Sequence, residues 1–110
     1  RGKIVRPYIG VRYVSLNPQI ASEFDLPLDY GAFLQDDIEN RVRAVLQDGP
    51  AFEAGVRSGD IIISVDGVEL SKDTGLQEVV RKKMPGDKVE LEILRDGREI
   101  DLELTLGELE

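Results

Sequence analysis

The run from Asp48-Gly49-Pro50-Ala51 through Gly55, Gly59-Asp60 and Ile61-Ile62-Ile63-Ser64-Val65 to Asp66-Gly67 leaves few folds open to this chain. Pro50 suits the first position of a helix, where its missing N–H costs nothing, and Gly55 suits the left-handed residue just past the end. Ala51 to Ala54 is therefore expected to form one helical turn. Gly59-Asp60 then turns the chain into a β-branched strand, Ile61 to Val65, and Asp66-Gly67 is the dipeptide that a tight reversal prefers. The expected order is strand, one-turn helix, buried strand, tight turn.

Flanking segments extend the pattern. Arg6-Pro7-Tyr8-Ile9-Gly10-Val11 leads into an alternating strand through Leu16. Asn17-Pro18 starts a short amphipathic helix with Ile20, Ala21 and Phe24 on one face, ending near Leu26-Pro27. Gly31 to Gln35 and Arg41 to Gln47 read as strands separated by the polar insert Asp36-Asp37-Ile38-Glu39-Asn40. Ser71 or Asp73 caps a helix running through Met84, with Leu76, Val79, Val80 and Lys83 on one side and Pro85-Gly86 stopping it. Two alternating strands joined by Asp96-Gly97 close the chain. Many short strands with two or three brief helices indicate a small, partly open barrel.

Composition excludes several functions. At 110 residues the chain fits one domain and can bury roughly 65% of the surface its unfolded form exposes. It has three Tyr, three Phe and no Trp, so Ile, Val and Leu must fill the core. Apolar runs are far too short for a bilayer span and no signal peptide precedes the first strand, so no direct membrane insertion is expected. A net charge of −8 argues against nucleic acid, which is held by Lys and Arg on phosphates. Without Cys there are no disulfides or thiolate metal sites, and no cofactor is called for.

The segment from Pro50 to Gly67 follows P-A-x-x-A-G-v-x-x-G-D-x-I-x-x-v-d-G and resembles the middle of a PDZ domain. A second likeness is at the start, where Gly2-Lys3-Ile4-Val5-Arg6-Pro7-Tyr8-Ile9-Gly10-Val11 is similar to the junction in HtrA-type (DegP/DegS-type) bacterial serine proteases between the trypsin-like domain and the first PDZ domain. Gly31-Ala32-Phe33-Leu34, Pro85-Gly86-Asp87-Lys88-Val89 and Leu94-Arg95-Asp96-Gly97 follow in the order that family expects. The resemblance implies an α+β, mainly β fold: a PDZ-like, partly open antiparallel β-barrel or sandwich, capped by two or three short helices, in the circularly shifted bacterial strand order. It implies one PDZ domain over 1–110, with 1–6 as a linker from a protease domain of the same chain and Leu109-Glu110 extraneous. An extracytoplasmic address, periplasmic or membrane-tethered, comes with the family. The chain departs from the family at Asp36 to Arg41, which interrupts a strand that is usually continuous.

The chemistry implied is recognition of C-terminal peptides with an apolar last residue. A terminal carboxylate needs clustered N–H donors, and successive amides of Ile9, Gly10 and Val11 can form a concave anion site. The strand Val11-Arg12-Tyr13-Val14 would take the peptide as an added strand. Tyr8, Ile9, Gly10, Val11, Arg12, Tyr13, Val14, Leu76, Val79 and Val80 are the candidate site residues. Ile9, Val11, Leu76 and Val80 among them are expected to line the pocket for the last side chain, and Arg6 to lend positive charge. Catalysis is not expected of this segment: a Ser-His-Asp site needs a histidine and the chain has none. Asp36, Asp37 and Glu39 lack the EF-hand spacing and its glycine, so they read as a solvated insert rather than a metal site. Two readings of a different kind stand beside peptide recognition: an interface module with a blocked groove that holds protease subunits together, and a PDZ domain of another membrane-associated protease or secretion component.

Overall fold

The structure is a computed structural model, which describes residues 6–47, 49–71 and 74–109, with Arg6 and Leu109 described at the backbone only. Eight strands and three short helices alternate along these residues. They are β1 (Arg6–Tyr8), β2 (Tyr13–Ser15), α1 (Pro18–Glu23), β3 (Ala32–Leu34), α2 (Pro50–Ala54), β4 (Ile61–Val65), β5 (Val68–Glu69), α3 (Leu76–Arg81), β6 (Lys88–Arg95), β7 (Arg98–Thr105) and β8 (Gly107–Leu109).

Local chemistry explains the turns. Pro50 opens α2, and Gly55 closes it at φ +97°. The Val56 N–H donates to the Ala51 carbonyl at 3.0 Å, which is the six-to-one bond of a Schellman motif, and both side chains are buried in the core. Asp66-Gly67 and Asp96-Gly97 have positive φ at both residues, the geometry of a type I′ turn. They connect β4 to β5 and β6 to β7. Asn17 caps α1 by accepting the Ile20 N–H at 2.8 Å.

The main sheet is antiparallel in the order β2-β3-β4-β6-β7, with β5 paired to β4, and β1 pairs β8 in a separate ribbon. Both sheets stay open, and β2 is an edge strand. β6 and β7 pair in unbroken register from Lys88 opposite Thr105 to Arg95 opposite Arg98. Leu34, Ile62, Val65, Leu91, Ile93 and Leu104 of the main sheet are buried together with Leu76 of α3 in the principal core. A second cluster of Leu16, Phe33 and Ile61 packs with Ile20, Leu26 and Leu28.

Three expectations need correction. Arg41 to Gln47 is not a strand. The chain leaves β3, makes a bridged turn at Asp37 and Val42, and returns so that Val45 lies opposite Val11. The Arg12 N–H donates to the Ala44 carbonyl and the Leu46 N–H to the Gly10 carbonyl, so residues 44–46 pair with 10–12 without forming a full strand. The register of Tyr13 with Leu34 would set Val11 opposite residue 36; it faces Val45, nine residues later. α3 begins at Leu76 with Gly75 as N-cap and ends at Arg81, not Met84. The Ser71 hydroxyl instead accepts the Thr74 N–H at 3.2 Å in the preceding turn, while Asp73 lies outside the described residues. The first helix stops at Glu23, short of Leu26. At the termini the Arg6 backbone pairs with that of Leu109.

Candidate functional site

A groove of about 750 Å³ lies between the β1–β2 connection and α3. Ile9, Leu76 and Val80 are buried beneath it, and Met84, two-thirds exposed, stands at its rim. Leu76 and Val80 are four residues apart, so they share one helix face, and Met84 continues the same line past the helix end. Gly10 has φ +82°, and a Cβ built on it would stand 3.2 Å from the Pro50 Cδ. Only glycine adopts this turn without strain.

Backbone polarity distinguishes this loop. The Ile9 carbonyl accepts from Ala51 at 2.9 Å and the Gly10 carbonyl accepts from Leu46 at 3.0 Å, so both carbonyls point toward the 46–51 segment. Among the described residues, none of the amides of Ile9, Gly10 and Val11 donates to a protein acceptor. Inward bonds from the N–H groups of Arg12 and Leu16 fix the alternation along β2. The N–H groups of Val11, Tyr13 and Ser15 therefore face the open edge. An apolar pocket, a row of free donors and an unpaired strand edge meet in one place.

Tyr8, Ile9, Gly10, Val11, Tyr13, Leu76 and Val80 line the groove. Val79 does not; it is buried in the principal core on the adjoining helix face. Val14 points outward from β2, and Arg12 is exposed with its guanidinium 3.8 Å from Asp37. The Arg6 side chain lies outside the described residues. Sequence reasoning missed Leu46, Gln77, Arg81, Lys83 and Met84 as lining residues. The i, i+4, i+7 spacing of Leu76, Val80 and Lys83 was the available signal for one of them.

Charge at the rim comes from α3 and its C-terminal extension. The Lys83 Nζ donates to the Asp66 carboxylate at 2.7 Å, and the second Asp66 oxygen accepts the Glu90 N–H at 2.7 Å. The Lys83 hydrogen bond, followed by that of Glu90, holds the Asp66 carboxyl below the usual carboxylate range. Across β2, bonds from the Asn40 side chain and backbone, with Arg12 adding attraction, lower the Asp37 pKa. Among the described residues no three His, Cys, Asp or Glu converge as a metal site, and no helix is long and apolar enough to cross a membrane.

Comparison with known proteins gives this arrangement a family. Residues 7–106 match the family described as PDZ domain. The chain belongs to the PDZ domain family. Curated relatives include a probable periplasmic serine endoprotease DegP-like from Ectopseudomonas mendocina, 34% identical over 108 residues that make up 98% of this chain. Another is the periplasmic pH-dependent serine endoprotease DegQ of Escherichia coli, 33% identical over 96% of this chain. In both cases the PDZ chain covers 21% of the relative's length. Among solved structures, the HtrA-type protease AlgW with a decapeptide superposes at a TM-score of 0.77 with 27% identity, over all of this chain and 31% of AlgW. The sheet and helices are therefore those of the PDZ domains of HtrA-type proteases.

Proposed function

We propose that this PDZ domain is the peptide-binding regulatory module of an HtrA-like, extracytoplasmic serine endoprotease, and that it takes the C-termini of unfolded or misassembled proteins ending in an apolar residue. One observation carries the reading: among the described residues the amides of Ile9, Gly10 and Val11 have no protein acceptor, and they lie beside an apolar groove and the open edge of β2. A carboxylate accepts such donors more strongly than a neutral group does, and an extended peptide continues the sheet as an added strand. The decapeptide in the AlgW structure and the endoprotease relatives support the same assignment. The rest of the chain would then supply the protease domain, since these residues contain no histidine.

The test compares the free-acid and amidated forms of one hydrophobic-ended peptide by fluorescence polarisation. The free acid binds at roughly micromolar Kd, because a short added strand must be ordered for little buried area. Amidation weakens it by about 2 kcal/mol or more. Equal affinities would remove the carboxylate loop from the assignment. Arg6→Ala, run alongside, costs on the order of 1 kcal/mol, the upper end of what a single surface ion pair contributes.

The alternative of a groove closed to peptide has one observation in its favour. The Tyr13 hydroxyl reaches across from β2 and accepts the Gln77 N–H of α3 at 3.3 Å. A module of this kind would hold protease subunits together without binding peptide tightly, and it too would show no difference between the two peptide forms.

A further inference from the structure

Tyr13 is the one β2 residue whose side chain ties the strand to the helix across the groove. Its ring is half-buried and packs against the principal core, and its hydroxyl accepts the Gln77 N–H. That amide lies in the first turn of α3, where backbone donors have no intrahelical acceptor. The N-cap, Gly75, provides no side-chain acceptor. Tyr13 thus supplies the helix with a partner that its own cap residue does not, and the ring is held at both ends.

The place of this ring along β2 has a consequence for any strand added there. Side chains alternate between faces, so residues of a bound strand that point into the groove are separated by two positions, about 7 Å. A ligand whose terminal carboxylate meets the amides of Ile9 to Val11 directs its last side chain down onto Ile9 and Val80. Its next side chain on that face belongs to the third residue from the end. Tyr13 stands two residues beyond Val11 on the same face of β2, level with that third residue.

We propose that Tyr13 is a specificity-determining residue that restricts the third-from-last position of the ligand to small side chains. The inference rests on the reading of the groove as a C-terminal peptide site. Gly or Ala at that position leaves the ring in place. Leu or Phe must swing it out, breaking the contact with α3 and removing the ring from the core.

Two free-acid peptides that differ only in Ala or Leu at the third-from-last position test this by fluorescence polarisation. The wild-type domain binds the Ala peptide at least about tenfold more tightly, a discrimination of the size that a few methylenes in a shaped pocket produce. Tyr13→Ala abolishes or reverses the preference. Tyr13→Phe keeps the ring and loses only the hydroxyl, so it retains a reduced preference, and it covers the case in which the alanine variant unfolds. Equal binding of both peptides by wild type, or a preference unchanged in Tyr13→Ala, overturns the role of Tyr13 while leaving the peptide site intact. Binding by Tyr13→Ala alone means the ring excludes even Ala, which supports the proposal in its strictest form. No binding of either peptide by any of the three proteins, each folded by circular dichroism, overturns the peptide site and this inference with it.

Discussion

The two ends of the α2 helix treat polar groups in opposite ways. Past its C-terminal end Asp60, 1% exposed, accepts two bonds from the Arg95 guanidinium, at 2.9 and 2.8 Å, and one from the Arg57 N–H at 2.9 Å. Arg95 also donates to the Gly55 carbonyl at 2.8 Å, and its attachment to Asp60 raises the guanidinium pKa. At the other end Pro50 packs beneath Gly10, and there the donors of residues 9–11 have no acceptor among the described residues. Buried polar groups cost free energy unless paired, so a fully paired cluster serves as scaffold. Free donors beside an apolar groove are competent to hold a ligand. One short helix joins the two, so the same five residues position both.

The sharpest way to break that comparison is at the scaffold end. Asp60→Ala leaves Arg95 and the Arg57 amide without their shared acceptor, and we expect a loss of about 3 kcal/mol in urea unfolding, as for one partner removed from a buried pair. Under conditions where the variant remains folded, its affinity for a hydrophobic-ended peptide stays within twofold of wild type. A parallel loss of affinity in the folded variant would mean that the two ends of α2 are coupled rather than independent.

How much of this was legible beforehand follows the same division. α2, β4 and both Asp-Gly turns were readable because each depends on residues within a few positions: a proline at a helix start, a glycine past its end, a dipeptide that tolerates positive φ. The loop residues Ile9, Gly10 and Val11 were found through a family motif, and Leu76 and Val80 through helical spacing. The Asp60 to Arg95 pair spans 35 residues and the Tyr13 to Gln77 contact spans 64. No local pattern announces either. Residues 44–46 were misread as part of a strand because alternation over so few residues does not reveal how far the chain is looped out before it pairs again. The start of α3 was misplaced because Ser71, a good cap by type, makes its local bond in a preceding turn.

A smaller effect sharpens the groove side of the comparison. Asp66 fixes Lys83 at the groove rim, and its carboxyl is held below the usual range by that contact. A carboxyl with a lowered folded-state pKa stabilises the fold above its unfolded value, near 4, and that stabilisation disappears as pH falls through the lower folded value. Wild type is therefore more stable than Asp66→Asn by on the order of 1 kcal/mol at neutral pH. The gap closes as the solution is acidified below about pH 4. A gap that persists at pH 2 would show that the difference does not come from the charge on Asp66, since the Asn side-chain oxygen still offers an acceptor to the Glu90 N–H.

The smallest effect is expected from the looped-out segment beside β2. Ile38 at its tip is 86% exposed, and Glu39, Asn40 and Arg41 are exposed as well, so little apolar surface offsets the entropy of ordering them. Its turn is held mainly by its own bonds, with Asp37 accepting from both the backbone and the side chain of Asn40. Asp36 differs, because its carboxylate accepts the Ala44 N–H at 2.7 Å and so fixes the point where the chain rejoins residues 10–12. Replacing residues 37–41 by Gly-Gly while keeping Asp36 shifts unfolding free energy by less than about 1 kcal/mol, since loop closure depends only weakly on length. Extending the replacement to Asp36 adds about 1 kcal/mol or more, the cost of an amide that loses its acceptor. Thermal unfolding of the two replacements decides the matter. If the shorter one already broadens or abolishes the cooperative transition, the excursion is a wall of the groove and belongs with the site rather than with the solvent.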